Sequence, residues 1–334
     1  MLSKLKKNPL VAALVDSAFI TLAISERLRS QPNPLAHMRA EHVMVATSPQ
    51  KTFQVGGDLT VNRIGYGAMR LTGQPGNFGP YTDWEAGKAL LRRAIELGVN
   101  FIDTAEAYGP GFNEKIIADA LYPYPAGLVI ATKGGIYKPA PDTIQADGRP
   151  DSLRRGLEGS LRRLKRDYID LYQLHRPDPK VPFTESMQAL AALQQEGKIR
   201  HIGLSNVSLQ QLQEAQTIAP IVSVQNRFSL SDRTHENILN YCIAEGIAFI
   251  PHGSLGAHPL RRGTPLTNSG GTLAEIAQKH DASVTQLALA WLLYRAPNIL
   301  LIPGTTTISH MEENMKALTL KLSPSELSRI DQLE

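Results

Sequence analysis

Eight short apolar runs alternate with eight amphipathic stretches along this chain, and that alternation restricts its possible folds more than any other feature. The runs cover residues 63–68, 99–104, 128–132, 169–174, 199–204, 221–225, 247–251 and 299–303. Each is short, and most are rich in Val, Ile, Leu or Phe, the pattern of strands covered on both faces. The stretches near 84–97, 113–121, 151–164, 183–196, 208–218, 234–245, 272–280 and 308–318 carry apolar residues at helical spacing. Strands separated by helices pair in parallel, each helix forming the crossover. Eight such units within residues 51–334 predict a (β/α)8 TIM barrel, a fold that typically takes about 250 residues. A doubly wound open sheet would place Gly-x-Gly-x-x-Gly after the first strand. Gly65-Tyr66-Gly67-Ala68-Met69-Arg70 does not supply that fingerprint.

Three additions to the repeat are expected. Thr52-Phe53-Gln54-Val55 and Leu59-Thr60-Val61, separated by Gly56-Gly57-Asp58, predict an N-terminal β-hairpin. Residues 283–295 predict an extra helix. Residues 323–333 predict another, because Ser323-Pro324-Ser325-Glu326 combines an N-cap serine, an early proline and a capping glutamate. No linker rich in Pro, Gly or Ser divides residues 51–334, so one barrel domain is expected there.

Residues 1–50 read differently. Leu10 to Ile24 is apolar but interrupted by Asp16, and it is too short to cross a bilayer comfortably. This part is expected to be a dispensable leader, helical or disordered. It also holds six Lys/Arg against three Asp/Glu, so most of the formal +4 charge lies there. The pI of 9.1 therefore does not imply a nucleic-acid partner, and a basic stripe with interleaved aromatics is absent. A single cysteine, Cys242, excludes an internal disulfide and a Cys-based zinc site, and fits a reducing, cytoplasmic setting. Its place in Ile238-Leu239-Asn240-Tyr241-Cys242-Ile243 reads as a buried thiol.

Four functional side chains stand just past apolar runs. Asp103 follows Val99-Asn100-Phe101-Ile102, and Tyr108 lies five residues further on. Lys133 ends the run at 128–132, and His175 follows Ile169-Asp170-Leu171-Tyr172-Gln173-Leu174. In a barrel, all four gather at the carboxyl ends of the strands, where active sites form. A carboxylate, phenol, ammonium and imidazole together can hand a proton to a carbonyl oxygen. An unpaired Lys133 there would be costly to desolvate, and Asp103 offsets that cost. The positive charge beside Tyr108 favours phenolate and is expected to lower the phenol pKa. A purely structural ion pair explains Asp103 and Lys133 equally well, but not Tyr108 or His175. The long segment 253–271, with five glycines and paired Arg261-Arg262, has the length of a lid. Tyr66, Trp84 and Tyr137 are candidate pocket walls or packing residues.

In these segments the chain resembles the aldo-keto reductase superfamily. The matching motifs are Asp103-Thr104-Ala105-Glu106-Ala107-Tyr108-Gly109, Thr132-Lys133, Leu174-His175-Arg176-Pro177-Asp178, Gly203-Leu204-Ser205-Asn206, Val224-Gln225-Asn226 and Ile302-Pro303-Gly304-Thr305-Thr306. The resemblance implies an oxidoreductase of the alcohol dehydrogenase and carbonyl reductase type, using NADPH or NADH on a small-molecule carbonyl substrate. It implies that Asp103, Tyr108, Lys133 and His175 are catalytic. It implies that Ser205, Asn206 and Gln225 bind the nicotinamide carboxamide. His252 takes the place of a stacking aromatic, with Gly253 and Leu255 beside it.

Gly304, Thr305, Thr306, His310 and Asn314 would bind the cofactor phosphates, at a helix N-terminus suited to anions. The pair Ser309 and Glu312 reads as a capping box there. Relatives often carry Lys and Arg where this chain has Gly304 and His310, leaving Arg261 or Arg262 to grip the 2′-phosphate. Residues 61–73 and Phe78-Gly79-Pro80 resemble a bacterial branch that includes pyridoxal reductases, so pyridoxal is a candidate substrate. No metal is expected, since His-x-His spacing is absent, nor a membrane, and the chain is expected to be a monomer or weak homo-oligomer. A non-catalytic NADP-binding regulatory module on the same fold is the alternative.

Overall fold

The computed structural model describes residues 49–256 and 271–333. Residues 1–48 and most of the 253–271 segment, Arg261 and Arg262 included, lie outside the described residues. The expected hairpin is β1 (Thr52–Val55) and β2 (Leu59–Asn62), paired antiparallel with Val55 opposite Leu59. The barrel strands follow as β3 (Tyr66–Gly67), β4 (Phe101–Asp103), β5 (Val129–Gly134), β8 (Ile169–Leu174), β9 (Ile199–Ser205), β10 (Ile221–Gln225) and β11 (Ala248–Phe249). They form one parallel sheet in the order β11-β10-β9-β8-β5-β4-β3.

The eighth position is residues 299–303, and it closes the barrel with single bridges rather than a ladder. Phe249 bridges Ile299 on one side, and Leu301 bridges Ile64 on the other. Arg63 holds this seam. Its guanidinium is buried and donates to the carbonyls of Ile299 and Leu293 at 2.9 Å each, with Ala296 also accepting. A two-stranded β6 (Ile136–Ala140) and β7 (Thr143–Ala146) follows β5; the sequence reading did not anticipate it.

Helices α1 (Trp84–Glu96), α2 (Phe112–Leu121), α3 (Pro150–Leu164), α4 (Phe183–Gln195), α5 (Leu209–Gln216) and α6 (Glu236–Ala244) provide the crossovers. After them come α7 (Thr272–Lys279), α8 (Val284–Arg295), α9 (Ile308–Lys316) and α10 (Pro324–Asp331). The capping box at Ser323 and Glu326 is present, as expected. The one expected at Ser309 is not: α9 starts at Ile308 with Thr307 at its N-cap, and no side chain caps it. Glu312 instead takes Arg93 of α1, at 2.7 Å.

The apolar residues sort into two layers by strand alternation. Phe101, Val129, Ala131, Leu171, Ala248 and Leu300 fill the barrel interior together with Val55, Leu59 and Val61, so the hairpin plugs one end. Their strand neighbours Ile102, Ile130 and Tyr172 pack outward against the helices.

Candidate active site

Alternation along the strands decides which side chains face inward at the open end. Phe101 points into the barrel and Ile102 out, so Asp103 follows the inner phase. On β5, Val129 and Ala131 point in, and so does Lys133. On β8, Leu171 points in, and so does Gln173. Register then sets neighbours side by side, with Asp103 opposite Ala131, Lys133 opposite Gln173, and Ser205 opposite Gln225.

Lys133 is fully buried and Asp103 nearly so. The ammonium donates to Asp103 Oδ2 at 2.6 Å, to the Thr104 carbonyl at 3.0 Å and to Tyr108 Oη at 3.3 Å. Burial works against its charge, but the Asp103 carboxylate and the Tyr108 phenol together raise its pKa above the usual value. Lys133 is therefore a stable cation against the phenol oxygen. The backbone of the Tyr108 loop is tied to the same strand, since Glu106 N donates to the Lys133 carbonyl at 3.1 Å.

The Tyr108 pKa is shifted upward, which corrects the expectation of a lowered value. Burial is the largest influence and outweighs Lys133, and Asp103 adds to the rise. His175 packs edge-on to Tyr108, with ring centroids 5.8 Å apart. Burial, then Lys133, Arg176 and His252, hold the imidazole well below its usual pKa, so it is neutral near pH 7. Its Nδ1 is buried with no hydrogen-bond partner. The four side chains predicted as catalytic thus share one site.

Beside them lies a second group. Ser205 Oγ and Asn206 N both donate to the Gln225 carbonyl, at 2.9 and 3.1 Å. Asn206 adopts a left-handed backbone, φ 56°, which turns its side chain toward His175. Its Nδ2 donates to the His175 carbonyl at 3.0 Å, and its Oδ1 contacts His252 Nε2 at 3.1 Å. Gly253 has φ 67°, and Leu255 is partly buried against the core.

The remaining residues stand where the eighth position meets α9. Gly304 presses on β3: a Cβ there would come within 2.9 Å of the Gly67 carbonyl. Thr305 accepts a hydrogen bond from Tyr66 Oη through its carbonyl, at 2.7 Å. Tyr66 is thereby a packing residue with no exposed surface. Trp84 packs against the core, whereas Tyr137 is exposed. Thr306 and His310 are exposed and Asn314 is buried. The uncapped start of α9 leaves backbone N–H groups open to an anion. This donor set, with Ser205, Asn206 and Gln225 at the strand ends, fits a nicotinamide dinucleotide.

Sequence reasoning missed Gln173. Its Nε2 donates to Asp103 Oδ1 at 3.2 Å, and Gln225 Nε2 donates to the same oxygen at 2.9 Å. A polar residue at an inward position of an apolar strand was the available signal. Also missed was a buried cluster behind the site, in which Glu114 accepts from Thr132 Oγ1 and Arg163 Nε, both at 2.6 Å. A separate cavity of about 480 Å³ opens beneath the hairpin, lined by Asp58, Tyr124, Arg166, Tyr168 and Arg200, and contains none of the four candidate catalytic residues. Among the described residues no group of three or more His, Cys, Asp or Glu is placed to hold a metal ion. Among them, too, no helix is long and apolar enough to cross a membrane. Cys242 is buried and its thiol pKa is pushed up to about 12 by desolvation, so it is an inert packing residue.

Comparison with known proteins agrees with this geometry. The model of the aldo/keto reductase family matches residues 63–334. An uncharacterized oxidoreductase of Schizosaccharomyces pombe is 46% identical over 276 residues, covering 83% of this chain and 88% of the relative. Pyridoxine 4-dehydrogenase of Escherichia coli is 42% identical over 281 residues, covering 82% of this chain and 96% of the relative. Among solved structures, a thermostable aldo-keto reductase bound to the inhibitor epalrestat superposes with a TM-score of 0.74 at 33% identity, covering 85% of this chain and all of its own. An aldo-keto reductase of Klebsiella pneumoniae in complex with NADPH gives 0.71 at 29% identity, covering 85% and 95%. With a barrel of the expected strand order and a family match across nearly all of it, the chain belongs to the aldo/keto reductase family.

Proposed function

We propose that this chain is an NAD(P)H-dependent reductase that converts aldehyde or ketone carbonyls to alcohols, with Tyr108 as the proton donor. One observation carries the reading: Lys133 Nζ touches both Asp103, at 2.6 Å, and the Tyr108 oxygen, at 3.3 Å. A structural ion pair does not require the second contact.

Reduced nicotinamide supplies the hydride when bound. The proton is this chain's task. With its pKa raised, Tyr108 stays protonated at neutral pH, the state a donor needs. Once the proton has left, Lys133 stabilises the remaining phenolate, and Asp103 keeps Lys133 in place. Neutral His175 can donate a hydrogen bond to the substrate oxygen without adding a second cation beside Lys133.

Ser205, Asn206 and Gln225 are assigned to the carboxamide of the cofactor, and His252, Gly253 and Leu255 to the wall beside its ring. Gly304, Thr305, Thr306, His310 and Asn314 are assigned to its phosphates. The relative solved with NADPH supports that cofactor over NADH. Identity of 42% to pyridoxine 4-dehydrogenase supports pyridoxal as a substrate. A cytoplasmic location, a monomeric or weakly associated state and a dispensable leader over residues 1–50 complete the proposal.

The test is oxidation of NADPH and of NADH by the purified protein with a panel of aldehydes including pyridoxal and methylglyoxal. Turnover with NADPH and at least one aldehyde is expected. Failure of every aldehyde with both cofactors, in a protein that still binds NADPH, contradicts the assignment.

A further inference from the structure

Asp103 has more partners than an ion pair with Lys133 requires. Lys133 occupies Oδ2, while Oδ1 accepts from two amides, Gln173 at 3.2 Å and Gln225 at 2.9 Å. Gln225 Nε2 also lies 3.3 Å from Gln173 Oε1, so the two amides are joined to each other as well as to the carboxylate. All four side chains are buried.

The fold makes room for Gln173. It faces Gly203 across the β8–β9 pairing, and a Cβ on Gly203 would press on Ser223 Oγ and come within 2.9 Å of Gln173 Cγ. A larger residue on β9 would push this amide off the carboxylate. The layers beneath it are apolar, with Leu171 and Ala131 in the inner core, so the amide has no solvent to turn to. A buried glutamine of this kind is retained only where its hydrogen bonds are satisfied.

One amide donor, Gln225, carries two duties in the reading given above. It holds Asp103 in this structure, and it is assigned to the nicotinamide carboxamide. Both hydrogens of its Nε2 are engaged here, one on Asp103 Oδ1 and the other on Gln173 Oε1, so it can turn to a cofactor acceptor only by giving one of them up. We propose that Gln173 is the positioning residue that keeps the Asp103 carboxylate fixed when Gln225 turns to the cofactor, so that Gln173 contributes to NADPH affinity without touching NADPH. The inference rests on the proposed cofactor role of Gln225. Without Gln173, releasing Gln225 would leave Oδ1 of a buried carboxylate short of donors, and that cost would oppose cofactor binding.

The test is NADPH binding by fluorescence titration in the absence of any carbonyl substrate. Four proteins are compared: wild type, Gln173→Met, Gln225→Met and the double variant. Methionine keeps the volume and removes the amide. Gln173→Met should weaken NADPH binding on the order of tenfold, and the same change made in the Gln225→Met background should have little further effect, because no donor is then being shared. Wild-type affinity in Gln173→Met, beside weakened binding in Gln225→Met, overturns this inference and leaves the cofactor assignment intact. Unchanged affinity in Gln225→Met overturns the cofactor assignment itself. Equal losses in both backgrounds also overturn the coupling, since Gln173 would then act independently of Gln225.

Should Gln173→Met fold poorly, Gln173→Glu answers the same question. Its new carboxyl group faces Asp103 on β4, Lys133 on β5 and Gln225 on β10, and it can donate to Asp103 only while protonated. Its NADPH affinity relative to wild type should fall as pH rises from about 5 to about 8. A ratio that stays flat across that range refutes the proposed donation.

Discussion

Glu106 gives the structure's clearest statement about pH and stability. The residue lies two positions before Tyr108, and its carboxyl faces Arg163 at 3.9 Å while Glu114 takes the nearer side of that guanidinium at 2.6 Å. Burial is the main cause that lifts its pKa from 4.5 to about 7, with Arg163 opposing and Glu114 assisting. A carboxyl raised in the folded state binds its proton more tightly there than in the unfolded chain. Stability therefore falls as pH rises from about 4.5 to 7, and above that window the contribution is fully lost.

The displacement corresponds to at most about 3.4 kcal/mol. Since the side chain is 31% exposed, solvent screening reduces this to about 1–2 kcal/mol. Glu106→Gln imitates the protonated form at every pH. It should leave stability nearly unchanged at pH 5 and raise it by about 1–2 kcal/mol at pH 8. Urea unfolding of both proteins at the two pH values, followed by tryptophan fluorescence, measures the difference. A variant less stable than wild type at pH 8 would show that Arg163 stabilises an ionised carboxylate, and the reasoning from burial would be wrong.

Lys133→Met should lose turnover and also about 3–5 kcal/mol of stability, because it leaves the Asp103 carboxylate buried without its cation. Thermal unfolding alongside kinetics checks both, and an unchanged melting temperature would refute the burial argument. Removing Arg261 and Arg262 together, each to Ala, should weaken NADPH by about tenfold for every 1.4 kcal/mol lost while sparing NADH. Equal weakening of both cofactors in parallel titrations would exclude a 2′-phosphate role. A protein lacking residues 1–44 should retain solubility and turnover, and loss of either would show that the leader supports the barrel.

Much of this site was legible because strand alternation is a strict rule. Once Phe101 and Ile102 are assigned to opposite faces, Asp103 has one direction left, and the same holds for Lys133 after Ala131. The barrel followed from eight repeats, and the hairpin from a Gly-Gly turn between short β-rich runs, although its place as a plug in the barrel end did not. What stayed hidden depends on contacts between distant segments. Gln173 reads as one more residue of an apolar strand until register sets it beside Lys133. The β6–β7 pair has half-exposed strands, with Pro139 in β6, and its sequence looks like a loop. Glu312 has the spacing of a capping residue, yet Arg93 on another helix claims it. The direction of the Tyr108 shift was misjudged for a related reason: the neighbouring cation is visible in sequence order, but the depth of burial is not.

The central claim is that Tyr108 delivers the proton, and Tyr108→Phe tests it most directly. The change removes one oxygen and keeps the ring that packs against His175, so the fold and the cofactor site should persist. A positioned general acid contributes roughly 10²–10⁴-fold to rate. Steady-state turnover with an aldehyde the wild type reduces, measured beside NADPH fluorescence titration, should show a loss of that size with cofactor affinity unchanged. Wild-type turnover in Tyr108→Phe would remove Tyr108 as the donor and contradict the mechanism.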